Sequence, residues 1–401
     1  MAMERLLRLM AEKKASDLFL TAGSPIQIKI DGVMVAVNGQ RLEPANVEAL
    51  LREIVSDAQW ARFEDERELN VGHGVVGVGS FRVNVFRQRG SPAGVVRFVP
   101  HDIPKLDELF LPQVLGELIL EKRGLLLVVG ATGSGKSTTM AAMLDHRNEN
   151  KSGHILTLED PIEFTFRNKR SIVNQRQIGT DTDSLEIALK NAMRQAPDCI
   201  LIGEIRDRAT MSASLAYAQS GHLVLATLHA NNAHHALNRI VSFYPPDNRS
   251  VLLSDLAATL KAIVSQRLVR SSTQGRLPAL EVLTNTRHIS EMIEQGRLNE
   301  IKDAMDQSLA PGSCTFDHAL AGLVRQGRIS RPDALANADS PTNLLWLLEN
   351  ESGPSSPEAQ PSSSQPLVSP AMASSALQKP ATETRGESGE AAPFSEFLLN
   401  I

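Results

Sequence analysis

The chain has 401 residues, 42% hydrophobic and 22% charged, with a formal net charge of −5. That length holds two domains at roughly 100–200 residues each, and the acidic balance excludes a global basic field drawing the chain to nucleic acid or anionic lipid. Two cysteines, Cys199 and Cys314, exclude a disulfide framework and a Cys-rich zinc site and suit a reducing cytosol.

The start, "MAMERLLRLMAEKKASD", scatters charges among its leucines and lacks a cleavage site, so it does not read as a signal peptide. No stretch reaches the ~20 apolar residues of a spanning helix, so direct membrane insertion is not expected. Residues 3–14 read as a helix with Leu6, Leu7 and Met10 on one side. "DLFL" and "IQIKIDGVMVAV" read as strands around an Asp31–Gly32 turn. Residues 44–67 carry helical periodicity. "SFRVNVFRQRGSPAGVVRFVP" reads as a hairpin, because Phe81, Val83 and Val85 alternate with Arg82, Asn84 and Phe86 and "RGSP" supplies a turn. Residues 1–98 are thus expected to form a small α/β unit, with 99–116 as a hinge.

From residue 117 the pattern changes. Short apolar strands, "LLLVVG", "HILTLE", "CILIGE" and "LVLATLH", alternate with helical segments such as 184–193. Strands apolar on both sides and separated by helices predict a mainly parallel, covered sheet over 117–350. Residues 250–268 and 288–326 are expected to be helical and to complete this domain. Residues 351–401 turn to Ser, Pro, Ala, Glu and Gln, a composition expected to stay disordered. The last residues, "PFSEFLLNI", regain Phe394, Phe397, Leu398 and Leu399, either as a short docking motif or as a chance apolar end.

The strongest chemical signal is "LLLVVGATGSGKSTTMAAML". Gly130, Gly135, Lys136 and Ser137 fit G-x-x-x-x-G-K-S/T between an apolar strand and a helical run, the context that motif requires. Its glycines let the backbone N–H groups of Gly130–Thr138, Thr132, Gly133 and Ser134 included, turn inward around phosphate oxygens. The helix beginning near Lys136 adds its positive end. Lys136 is expected to neutralise the β/γ-phosphates of ATP and the Ser137 hydroxyl to ligate Mg²⁺. In "APDCILIGEIRD" a strand ends at Glu204, whose carboxylate can reach the Mg²⁺ shell or orient a water. Alone, an apolar strand followed by an acid is common; paired with a phosphate loop it becomes specific. In "HILTLEDPIEF", Glu159, Asp160 and Glu163 crowd a strand end. They form either a solvated turn at Asp160–Pro161 or a second acidic group, with Glu163 positioning the attacking water and Mg²⁺ and Lys136 relieving the repulsion.

These stretches, "GATGSGKSTT", "TLEDPIEF", "PDCILIGEIRD" and "GHLVLATLHANNA" in that order, resemble the secretion and type IV pilus ATPases, where they are the Walker A, Asp, Walker B and His boxes. The likeness covers about residues 5–348, and "ASDLFLTAGSPIQIKIDG" with "FRVNVFRQRGSPAGVVRFVP" looks like the PAS-like domain of the retraction branch. Extension and secretion types usually carry a four-cysteine element, which two cysteines cannot form. The stretch "HISEMIEQ", His288–Gln295, stands where PilT carries "AIRNLIRE", and both arginines are missing; the end "CTFDHALAGLVRQGRISRPDALANADSPTNL" is similar to the PilU paralogue. The resemblance implies a PAS-like α+β domain, a RecA-like P-loop ATPase domain and a homo-hexameric ring on the cytoplasmic face of the inner membrane. It also implies an inner-membrane pilus platform protein as partner and joint action with a PilT-type ATPase. Two alternatives stay open: a weakly hydrolysing or non-hydrolysing accessory ring subunit, and an extension or secretion ATPase.

The histidines of "ATLHANNAHHALNRI" do not read as a metal site. His234 and His235 are adjacent and diverge by ~100° on a helix, and His222 lies roughly 23 Å from His229 along an extended chain. His229 ends a strand beside the phosphates and is expected to sense the γ-phosphate, while His222 is expected to orient the neighbouring carboxylates. With nucleotide between the two domains, as the resemblance implies, Arg82 and Arg97 on the hairpin's polar face would neutralise charge developing on the γ-phosphoryl group. The other reading of both is as surface ion-pair arginines. Arg206 is expected to brace an acid across the sheet.

Overall fold

The computed structural model describes residues 2–30, 32–99, 102–273, 275–307 and 310–350. Asp31 of the expected turn and the whole 351–401 segment, with its expected disorder and its apolar end, lie outside the described residues.

The first part of the chain contains α1 (Ala2–Glu12), β1 (Asp17–Leu20), β2 (Pro25–Ile30), β3 (Val33–Arg41), α2 (Pro44–Arg52), α3 (Asp57–Glu66), β4 (Glu68–Val75), β5 (Gly79–Gln88) and β6 (Ser91–Val99). The helical periodicity over 44–67 belongs to two helices. Ser56 breaks it, accepting Gln59 N at 3.3 Å while the Gln59 side chain takes Ser56 N at 3.0 Å, a reciprocal cap that starts α3 afresh. The β5–β6 turn is only Arg89–Gly90, at φ 50° and 81°. Two residues of positive φ match the strand twist, so Ser91 and Pro92 already belong to β6. The sheet is antiparallel, in the order β3-β2-β1-β6-β5-β4. Leu7, Met10, Leu51, Trp60 and Phe63 of the helices pack with Leu18, Val83 and Val85. Gly94 lets α2 approach β6: a Cβ there would stand 2.7 Å from Leu51 Cδ2.

The second part opens with α4 (Val114–Ile119), β7 (Gly124–Val129), α5 (Lys136–Asn150), β8 (Gly153–Glu159), β9 (Ser171–Gln177), α6 (Leu185–Ala192), β10 (Cys199–Ile202), α7 (Arg208–Gln219) and β11 (Leu223–Leu228). It continues with α8 (Ala233–Ser242), α9 (Arg249–Thr259), β12 (Leu260–Arg270), β13 (Arg276–Thr284), α10 (Arg287–Glu294), α11 (Ile301–Asp306), α12 (Phe316–Arg325), α13 (Arg331–Asn337) and α14 (Pro341–Asn350). The seven strands run β13-β12-β7-β11-β10-β8-β9, parallel except for the β12–β13 edge pair. Along β7, Leu125, Leu127 and Val129 enter one core while Leu126 and Val128 enter the other. Helices therefore cover both faces, which is why β7 and β10 carry no polar side chain.

The helix expected over 250–268 is corrected: α9 stops at Thr259 and β12 begins at Leu260. The β-branched run "AIVSQRLV" pairs β12 with β7 on one side and β13 on the other, and that ladder overrides a weak helical period. The 288–326 region is likewise three separate helices, with Gly296 and Gly312 at positive φ in the breaks. Helices α12–α14 form their own core with Val269 and Ala279. No helix among the described residues is long and apolar enough to cross a membrane.

One carboxylate is built into this frame. Glu281 on β13 is 3% exposed, and its Oε1 accepts Ala233 N at 2.7 Å and the Ser265 hydroxyl at 3.0 Å. Burial pushes its carboxyl up to about 7. The native state thus keeps a proton that the unfolded chain has lost, and stability falls as pH rises from the unfolded value towards 7, by on the order of 3 kcal/mol. Glu281→Gln keeps the acceptor and removes the titration. In urea denaturation the variant is expected to gain on the wild type as pH rises from about 5 to 7 and to hold that gain above; a difference independent of pH contradicts this.

Candidate functional site

Strands β7, β11, β10 and β8 are neighbours and parallel, so the loops leaving their C-terminal ends emerge at one sheet edge. In doubly wound sheets that edge is where ligands sit. Here it opens into a cleft of about 780 Å³. The loop after β7 carries Thr132, Gly133, Gly135, Lys136, Ser137 and Thr138 into the cleft. Those after β8 and β10 bring Glu163 and Glu204, and that after β11 brings His229.

The glycine loop is shaped by close approach. A Cβ on Gly130 would stand 2.5 Å from Ser134 Oγ and 2.6 Å from the Gln266 carbonyl, and Gly133 and Gly135 sit at φ 78° and 89°. Gly135 caps α5, so the unpaired N–H groups of its first turn face the cleft. Lys136 Nζ donates to Gly130 O and Ala131 O, both at 2.9 Å. Burial pulls its ammonium below the usual lysine range, while Glu204 and Glu163 oppose that shift. The buried Ser134 hydroxyl oxygen has no hydrogen-bond partner among the described residues. A loop with a buried cation and an unpaired polar atom is suited to oxyanions, chemistry that phosphate supplies.

Glu204 is held on both sides. Arg206 Nε donates to Oε2 at 2.7 Å, and His229 Nε2 lies 3.2 Å from Oε1. Arg206 therefore braces the acid of its own loop rather than one across the sheet. Glu159 accepts the Thr157 hydroxyl at 2.7 Å and Gln175 Nε2 at 3.2 Å, and burial raises its carboxyl above the ordinary range. Behind these acids, the Thr227 hydroxyl donates to Gly203 O and ties β11 to the β10 loop.

Arg97 of β6 also lines the cleft, so the antiparallel sheet reaches it. Its Nε donates to Asp17 Oδ1 at 2.8 Å, and most of its side chain stays exposed. Arg82 stands opposite Arg97, one strand further out, and does not line the cleft. His222 does not reach the acids: it precedes β11, at the far end from His229, with Nδ1 at 3.1 Å from Ser220 Oγ and 3.2 Å from Tyr217 O. The expectation that it orients carboxylates is thereby corrected. His234 faces Leu298 O at 3.0 Å on α8, away from His229.

Sequence reasoning missed Gln266. Its Oε1 accepts the Thr139 hydroxyl at 2.7 Å and its Nε2 would meet a Cβ on Gly135 at 2.8 Å, so β12 wedges the loop from behind. Reading this stretch as a helix hid it; strand alternation, with Val264, Gln266 and Leu268 on one face, was the signal available. The donor set fits a hard divalent cation. The Ser137 hydroxyl and Glu204 carboxylate are oxygen donors lining the cleft, and Mg²⁺ usually takes few protein ligands beside substrate phosphates.

Compared with known proteins, residues 3–320 match the family model of type II/IV secretion system proteins. The chain is 46% identical over 350 residues to the type IV pilus ATPase PilU of Pseudomonas aeruginosa, covering 87% of this chain and 92% of that one. It is 39% identical over 344 residues to the type IV pilus retraction ATPase PilT of the same organism, covering 86% and 100%. A crystal structure of the pilus retraction motor PilT with bound ADP superposes with a TM-score of 0.79 at 39% identity, over 84% of this chain and 98% of that one.

Gly130→Ala tests the cradle. The added methyl displaces the Ser134 side chain or the β12 backbone, and affinity for a nonhydrolysable ATP analogue in calorimetry is expected to fall at least ~10-fold. Unchanged affinity contradicts the close-approach reading.

Proposed function

The chain belongs to the type II/IV secretion system protein family, in its PilT/PilU branch, and we propose that it is an Mg²⁺-dependent ATP hydrolase driving type IV pilus retraction. The observation that carries this reading is the single edge at which the glycine loop, Glu163, Glu204 and His229 converge, with Arg97 reaching them from the other sheet. The proposed units are a PAS-like domain over 1–98, a linker over 99–116 and a RecA-like domain over 117–350. Six copies form the ring. It works with a PilT-type ATPase against a pilus platform protein at the cytoplasmic face of the inner membrane.

In the proposed mechanism Lys136 leaves the carbonyls of Gly130 and Ala131 and pairs with the β/γ-phosphates, whose oxygens the N–H groups of the loop and of α5's first turn also hold. Ser137 and Glu204 would hold Mg²⁺, in part through water, and the ion supplies charge neutralisation at the β- and γ-phosphates. Glu163 orients the attacking water. His229 contacts the γ-phosphate through an imidazole N–H and loses that contact after hydrolysis, and its Nε2 stands 3.2 Å from Glu204 Oε1, beside the acid. Arg97, rather than Arg82, exchanges Asp17 for the γ-phosphoryl oxygens. Because Arg97 rides on the antiparallel sheet, hydrolysis changes what holds the two sheets together.

A second reading, an accessory ring subunit with weak hydrolysis, draws on α10. Its exposed residues include Glu291 and Glu294, and Arg287 is paired with Glu291 at 3.0 Å. Phosphate release by the purified chain alone separates the two readings: steady turnover supports the first, and none supports the second.

For the first reading, Lys136→Ala is expected to abolish turnover. Glu204→Ala is expected to lower kcat at least ~100-fold while ATP stays bound. Normal steady-state hydrolysis by either variant refutes these roles. Deleting the chain in its host is expected to leave excess immobile pili; bald cells would point to extension instead.

A further inference from the structure

The segment leaving His229 is fastened at three successive residues to side chains that do not line the cleft. Arg267 Nη2 donates to Asn231 O at 3.3 Å. Asn232 Nδ2 donates to Asp339 Oδ2 at 3.3 Å. Ala233 N, at the first position of α8, donates to Glu281 Oε1 at 2.7 Å. Asn232 also caps α8 by accepting His235 N at 2.9 Å, so its own placement decides where that helix begins.

Arg267 is the centre of this set. Its guanidinium donates to Asp339 Oδ1 at 2.5 Å and to Asn337 O at 2.6 Å, and it stacks 3.8 Å above the Phe316 ring. Asn337 ends α13, Asp339 lies between α13 and α14, and Phe316 opens α12. Asp339 is seated in turn: its N–H and that of Ser340 donate to the buried Asp317 carboxylate at 3.0 Å and 3.3 Å. Lys302 stands 3.8 Å from Asp317 and 3.9 Å from Asp339. The planar fork of arginine uses both terminal nitrogens and its face here, a combination lysine cannot reproduce. On β12, Ser265 and Arg267 face this network while Gln266 between them faces the phosphate loop. One strand therefore touches the loop on one side and the His229 segment on the other.

We propose that Arg267 is a positioning residue for hydrolysis, holding the His229 segment in register through Asn231 and making that register depend on the α12–α14 helices through Asp339. His229 lies two residues from Asn231 and faces Glu204 at 3.2 Å, so a shift of the segment moves the imidazole off the acid. Displacing α12–α14, the last described elements before the 351–401 segment, shifts the pair Asn231–Asn232 directly. The inference rests on the hydrolase reading above.

The test is a mutant cycle in the full-length chain. Arg267→Ala is expected to lower kcat about 10-fold with the KM for ATP changed less than ~3-fold, since the phosphate loop is untouched. Asp339→Asn is expected to do the same more weakly, and it carries the test should Arg267→Ala not fold. Combined with His229→Ala, neither substitution is expected to lower kcat further, because both act through His229. A purely structural role would lower the melting temperature and depress kcat equally in both backgrounds; that result, or an unchanged kcat in a folded variant, overturns the inference. A wild type with no turnover overturns the hydrolase reading and this inference together, whereas an active wild type beside an unaffected Arg267→Ala overturns this one alone.

Discussion

A nearly buried ammonium group sets the conditions for the rest of the molecule. Lys136 enters the protein charged, and its own loop supplies the compensation, two carbonyl oxygens at 2.9 Å, with Glu204 and Glu163 nearby. A buried cation held by neutral dipoles is incompletely compensated, so a ligand that brings negative charge to the same spot gains more than it would in water. The loop can present the cation this way because Gly130 admits the Gln266 backbone and Gln266 in turn anchors Thr139.

Sheet order turns that local site into a device. Four parallel neighbours deliver four loops to one edge, and the buried sides of β7 and β10 fix them from behind. The antiparallel sheet supplies one arginine to the cleft, Arg97, paired with Asp17. In the proposed mechanism, chemistry at the phosphate loop and the seating of the other sheet share this residue. On the opposite flank, β12 gives the same cleft a connection to the C-terminal helices.

Much of this was legible in the chain itself. The glycine loop, the two acid loops and His229 were readable because each follows an apolar strand, and parallel strands must deliver their ends together. Other features lay beyond local pattern. The β12 strand was hidden by a run that fits either period, and only its ladders with β7 and β13 decide the matter. His222 sits in the same box as His229 but at the other end of the strand, a separation that spacing alone gave and that the family likeness obscured. Glu281, Gln266 and Arg267 take their meaning from partners between 16 and 127 residues away, which no window of sequence contains.

The most direct measurement is a crystal structure of the chain with Mg²⁺ and a nonhydrolysable ATP analogue. The triphosphate should lie along Gly130–Ser137, with Lys136 Nζ drawn off the Gly130 and Ala131 carbonyls onto phosphate oxygens. Nucleotide lodged elsewhere, or bound while Lys136 still donates to both carbonyls, would contradict it.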